Sequence, residues 1–230
     1  MSQVTDLIAA LEEKVEPAKI EDVARFFKGG DAETRIMGVP MPKVFPVAKQ
    51  FTDLGLVDVE TLLDDARYEV RMAAVSVMDF QARRKRLSDA HRKALFDLYL
   101  RRHDRINNWD LVDRAAPHVV GTYLVDKDRS ILKALARSND PHERRTAIVS
   151  TFAFIRRGEV EDTFRIADML AGDGDDYVQK AVASWTREAG KRDAEALIAF
   201  LERNKKHLPR STITAASKLL PDSVRKALRS

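Results

Sequence analysis

Apolar residues return every three or four positions almost from one end of this chain to the other, and that spacing limits the fold more than any other feature. Val4, Leu7, Ile8, Leu11 and Val15 form a first stripe with Pro17 behind it; Ile20, Val23, Phe26 and Phe27 form a second, stopped by Gly29-Gly30. Residues spaced in this way share one face of an α-helix. Gly38, Pro40 and Pro42 interrupt the pattern and require a turn, with Pro42 suited to the first turn of a helix carrying Val44, Val47, Ala48 and Phe51. Further stripes cover residues 56–64, 67–83, 88–101, 106–124, 127–138, 141–156, 160–171, 175–190, 192–204, 210–219 and 221–228. No alternating run bounded by turn residues lies between them, so the expected fold is all-α.

Three of these helices resemble one another. Tyr68 to Val75, His142 to Val149 and Tyr177 to Ala183 each place a base before small and β-branched residues, and each follows an acidic turn: Asp64-Asp65, Asp140, and Asp175-Asp176. With Arg71, Arg145 and Lys180 taken as equivalent, the separations are 74 and 35 residues, and a missing copy should fall near residue 108, in the helix of Asn108 and Trp109. A period of this length with two helices per unit suggests a HEAT-like repeat α-solenoid, an α-α superhelix forming one domain over residues 1–230. Second helices in such a fold line a concave face, which would carry Arg71, Trp109, Asp113, Arg145, Lys180 and Arg187. Bases along a curved face suggest double-stranded nucleic acid, since Lys and Arg gain by displacing counterions from phosphates. Solenoids also serve as protein-binding scaffolds, and the repeats alone leave both readings open.

Charge decides little by its sum: 40 Lys and Arg stand against 36 Asp and Glu, for a net +4. Any electrostatic role must come from where the bases lie. The lack of cysteine excludes disulfides, thiolate catalysis and Cys-ligated metal sites. The first residues, Met1 to Ala18, mix acids into an amphipathic helix, and no run approaches the length of a membrane span; a cytoplasmic protein without membrane contact is expected.

Within Ile106 to Asp113, Trp109 precedes Asp113 by four residues, so an indole and a carboxylate share a helix face one turn apart. An aromatic wall beside an acid can serve a reaction, although a core tryptophan beside a solvated acid is the commoner pattern. Other chemistries find no support. The five histidines, His91, His103, His118, His142 and His207, lack metal-ligand spacing, and His118 after Pro117 reads as a satisfied helix residue. Gly172-Asp173-Gly174-Asp175-Asp176 lacks the bidentate Glu of a calcium loop and reads as a turn with an acidic cap. Arg83 to Arg86 reads as a solvated helix end. No phosphate-binding glycine loop or nucleophile elbow occurs, and no cofactor or metal is expected.

The run Trp109-Asp110-Leu111-Val112-Asp113, followed by Pro117 and Gly121, resembles the active-site helix of the AlkD-type DNA alkylation repair glycosylases, HEAT-like proteins that remove N3- and N7-alkylated purines. Other stretches resemble the family in the same order: Ala24 to Lys28, the Gly38-Val39-Pro40 turn, Arg144 to Ile148, Val178 to Val182 with Arg187-Glu188, and Pro209-Arg210-Ser211. The resemblance implies that Asp113 is the catalytic carboxylate, with Trp109 packing against the sugar-phosphate of the lesion. It implies DNA contacts at Arg145 and Arg187; Lys180, Phe26 and Lys43 are further DNA-binding candidates. Two positions depart from the pattern. Phe26 stands where the family usually has Tyr, and Ser184 stands where it has a second cleft tryptophan, with Trp185 one position later and so rotated by about 100° around a helix.

The chemistry agrees with the resemblance. Alkylation at N3 or N7 leaves the purine cationic, so its glycosidic bond is weak and its departure hardly needs a general acid. A fixed carboxylate can stabilise the oxocarbenium-like sugar and orient water, and an indole face adds cation–π attraction. The expected activity is therefore excision of cationic alkylpurines from duplex DNA by a monomer. The alternatives are a catalytically weak relative that binds damaged or branched DNA, and a HEAT-like interaction scaffold.

Overall fold

The computed structural model describes residues 2–28 and 31–229, and over these the chain is all-α with an α-solenoid-like arrangement. Contacts divide it into two compact units, Met1–Tyr123 and Leu124–Ser230. The first contains α1 (Gln3–Glu12), α2 (Ile20–Ala24), α3 (Met41–Gln50), α4 (Leu56–Leu63), α5 (Tyr68–Ala82), α6 (Asp89–Arg101) and α7 (Trp109–Ala116). The second contains α8 (Ser130–Leu135), α9 (Pro141–Ser150), α10 (Phe152–Ile155), α11 (Glu161–Met169), α12 (Asp176–Gly190), α13 (Ala194–Asn204), α14 (Arg210–Ala216) and α15 (Asp222–Arg229). Among the described residues there is no strand, only an isolated bridge between Arg35 and Arg67. No helix there is long and apolar enough to cross a membrane.

Each unit is built around one long helix. In the first, α5 packs against α3, α4 and α7, and every one of its residues except Phe80 is buried. In the second, α12 packs against α9, α11, α13 and α14 through Val178, Ala181, Val182 and Ala189. Small and β-branched side chains on these helices let neighbours approach closely, which is how successive helices bury a continuous core.

The helices match the apolar stripes, with three corrections. Residues 106–124 do not form one helix. Pro117 has no N–H to offer the carbonyl of Asp113, so α7 ends at Ala116; the chain then widens into a single π-type turn over Pro117–Gly121, closed by the Thr122 N–H on the Pro117 carbonyl. Residues 141–156 divide at Thr151 into α9 and α10. The second stripe yields only the short α2, which stops before Phe26, and the stop assigned to Gly29-Gly30 lies outside the described residues.

The acidic turns act as the sequence predicts, through Asp65, Asp140 and Asp175, each of which accepts the backbone N–H two residues on. The repeat register is corrected, however. The fourth residue of α5, α9 and α12 is Arg71, Arg144 and Gln179, and all three side chains donate to the carbonyl six residues back: Asp65, Ser138 and Asp173. These are the structural equivalents, not Arg71, Arg145 and Lys180. A fourth helix, α7, does begin where the period places it, at Trp109, but its fourth residue is Val112 and carries no such donor.

Two predicted surface bases are in fact buried. Arg71 is 0 % exposed and also donates to the Thr34 hydroxyl, because the carbonyls of the preceding turn need a donor that water cannot supply. Arg145 is 6 % exposed, and its guanidinium donates to the Tyr177 carbonyl.

Candidate active site on the Trp109–Asp113 face of α7

The loop before α3 shapes one wall of the site. Gly38 adopts φ +88°, and a Cβ there would lie 2.8 Å from Ile20 Cγ1 and 2.9 Å from the Glu16 carbonyl. The buried Glu69 carboxylate accepts the N–H groups of Met37, Gly38 and Val39 at 2.8–3.1 Å and so pins this loop to α5. Pro40, Met41 and Pro42 are held in consequence against the cleft.

The cleft has a volume of about 550 Å³ and lies wholly within the first unit. Phe26, Phe45, Met72 and Trp109 give it an apolar lining, and Asp113, Asp110 and Arg114 give it charge. Trp109 and Asp113 are both half-buried and lie one turn apart on α7, as predicted. Phe26 is 52 % exposed and lies in the segment following α2. Its carbonyl accepts the indole Nε1–H of Trp109 at 3.0 Å. The indole nitrogen is therefore engaged within the protein, while the ring lines the cleft.

Behind that face lies a network formed by residues to which the sequence assigns no role. Asn108 is fully buried; its Nδ2 donates to the Phe26 carbonyl at 2.9 Å and to Asp110 Oδ1 at 2.6 Å, while its Oδ1 accepts the Lys28 N–H at 2.8 Å. The Tyr68 hydroxyl donates to Asp110 Oδ2, and the Tyr68 ring meets Phe27 edge-on at 5.4 Å. Burial pushes the Asp110 carboxyl above the usual carboxylate range, against the hydrogen bonds from Tyr68 and Asn108. Burial and the Asp110 charge likewise raise the Tyr68 phenol, which stays protonated as the donor. Sequence alone offers no pointer to this network, because apart from the Asn108–Asp110 contact its partners lie 40 to 82 residues apart.

Arg114 completes the floor. Its guanidinium lies 4.8 Å from the Phe45 ring and 4.7 Å from the Phe80 ring, donates to the Ser76 hydroxyl at 2.9 Å and pairs with Asp79 at 3.2 Å. Burial lowers its pKa. Asp79 also lies 2.7 Å from His118 Nδ1.

The remaining candidates are not among the residues that line this cleft. Lys43, at the start of α3, pairs with Glu16 at 2.6 Å. In the second unit Lys180 is exposed, with its ammonium 4.3 Å from the Tyr177 ring, and Arg187 donates to the Ala215 carbonyl at 2.9 Å. Ser184 is exposed. Trp185 is half-buried and packs on Phe152 at 5.2 Å. The Gly172–Asp176 stretch is a capping turn: Asp175 accepts the N–H groups of Tyr177 and Val178, and Asp173 pairs with Arg144 at 2.5 Å.

An all-helical chain of stacked helices that presents an indole, a carboxylate and exposed apolar walls in one cleft is suited to hold a flat, cationic ligand. The chain belongs to the DNA alkylation repair enzyme family, whose model matches residues 7–220. A solved structure described as a predicted DNA alkylation repair enzyme from Enterococcus faecalis superposes with a TM-score of 0.69, covering 91% of this chain and 98% of that one at 14% identity. That likeness shows the shared fold. A comparison with curated proteins gave no match. Membership of the family supports a role in DNA alkylation repair, with DNA as the substrate.

Proposed function

We propose that this protein is a DNA glycosylase that hydrolyses the N-glycosidic bond of cationic N3- and N7-alkylated purines in duplex DNA. The observation that carries the reading is the joint placement of Trp109 and Asp113 in one apolar cleft. Asp113 supplies a fixed negative charge for the oxocarbenium-like sugar and a partner to orient water; the ring of Trp109 packs against the cationic nucleotide. The aromatic wall is completed by Phe26, whose missing hydroxyl matters less because its carbonyl, not its ring, makes the polar contacts. In the second unit Lys180 is the candidate for a phosphate contact, being exposed, and Arg187 follows with one nitrogen already engaged. We further propose that residues 1–230 act as one HEAT-like repeat domain, as a cytoplasmic monomer.

The test is to incubate the protein with duplex DNA carrying N7-methylguanine or N3-methyladenine and measure free base against spontaneous depurination. Release above that background is expected, and its absence sinks the glycosylase reading. A second reading, a relative that binds damaged DNA with weak or no excision, is favoured by one observation: the exposed Ser184 offers no indole where the family resemblance calls for one. Tight binding of the lesion duplex without release would select it.

A further inference from the structure

Asn108 precedes α7 at the position of a helix cap, yet its side chain makes no capping bond to that helix. Its amide is directed instead across the fold. Both N–H groups and the carbonyl are used: Nδ2 on the Phe26 carbonyl and on Asp110, Oδ1 on the Lys28 N–H. The Phe26 carbonyl is shared, since Trp109 Nε1 donates to it too. Two neighbouring side chains thus grip one backbone oxygen, and the indole cannot swing away without giving up a bond whose acceptor Asn108 holds in place. Asp110 steadies the amide from the other side and is itself held by Tyr68.

We propose that Asn108 is a positioning residue: its amide clamps the Phe26–Lys28 backbone onto α7, and so sets the Trp109 indole and the Phe26 ring at the spacing the cleft needs to hold the lesion-bearing nucleotide. Its effect on excision rests on the glycosylase reading above; the clamp itself does not. A buried amide whose only task was stability would not need to share an acceptor with a cleft-lining aromatic. Small displacements of positioning groups cost catalysis more than they cost binding.

The experiment uses the full chain labelled with 5-fluorotryptophan, whose two 19F resonances are assigned with Trp185→Phe. Asn108→Asp keeps the shape and the acceptor for Lys28 but faces the Phe26 carbonyl and Asp110 with a second oxygen. It should shift and broaden the Trp109 resonance and lower the single-turnover excision rate by about tenfold or more, while affinity for undamaged duplex stays within about twofold. An unmoved Trp109 resonance in Asn108→Asp overturns the clamp. Where that variant fails to fold, Asn108→Ala, which removes the amide without adding repulsion, is read by the same resonance and the same rule. A moved resonance in a parent that excises nothing upholds the clamp and rejects the glycosylase; a moved resonance with undiminished excision overturns the positioning role.

Discussion

Asp110 and Asp113 sit three residues apart on one helix, and their surroundings divide their roles. Both line the cleft half-buried, but both oxygens of Asp110 are taken by Asn108 and Tyr68. Asp113→Asn keeps the shape and removes the charge, so excision should fall by about tenfold or more, about 1.4 kcal/mol in the barrier, with DNA affinity retained; unchanged release of base would remove Asp113 from the mechanism. Asp110 makes a prediction about pH. Its native pKa is raised by burial, so the stability it contributes is full below the unfolded carboxylate range and is lost as pH rises through the native value. Asp110→Asn escapes that loss, and the difference in Tm between variant and parent should grow in the variant's favour from about pH 4 to about pH 8. A difference that does not change with pH would mean the carboxylate is not desolvated. The Trp109–Asp113 pair was legible because helix spacing alone brings it together. The network behind it was not, because Tyr68 and the Phe26–Lys28 backbone are brought to Asn108 only by tertiary packing.

Among the elements, those most legible were the ones set by local rules: the acidic turns before α5, α9 and α12, and nearly every helix. The repeat register is not fixed by charge, because Arg144 and Arg145 are adjacent and only Arg144 reaches back to the turn carbonyls, while in α12 the neutral Gln179, not the charged Lys180, fills that role. The end of α7 is hidden in the sequence because the apolar stripe continues across Pro117 even though the backbone ladder does not. The loop before α3 shows how an element far from the chemistry can shape the cleft. Gly38→Ala would place a methyl group against Ile20 and the Glu16 carbonyl in a backbone conformation that disfavours it. The expected cost is about 1–3 kcal/mol in chemical denaturation, from backbone strain together with the close contact. A variant as stable as the parent would show that the 36–40 loop yields, and that its three N–H bonds to Glu69 do not fix the cleft wall.

At the scale of the whole molecule, a net charge of +4 from 40 bases and 36 acids says little about DNA until the bases are sorted by what engages them. Arg71 and Arg145 are buried on backbone carbonyls, Arg144 is paired with Asp173, Arg114 with Asp79, and Lys43 with Glu16. Lys180 is exposed on α12, its ammonium lying against a tyrosine ring. Sequence could list these residues but not sort them, because burial of an arginine on carbonyls leaves no mark in the local pattern. The sorting makes opposite predictions for two residues that looked alike. Lys180→Ala should lower affinity for damaged and undamaged duplexes alike and reduce the slope of log K against log salt by about one, the signature of one lost phosphate contact, with little change in Tm. Arg145→Ala should leave that slope unchanged and lower Tm instead, since it strips the donor from the Tyr177 carbonyl and leaves a buried gap, at a cost of about 1–3 kcal/mol. Salt titrations of binding, run beside thermal melts, separate the two. If Arg145→Ala flattens the salt dependence while keeping its Tm, the guanidinium leaves its carbonyl to meet DNA, and the burial seen in the free protein does not describe the bound one.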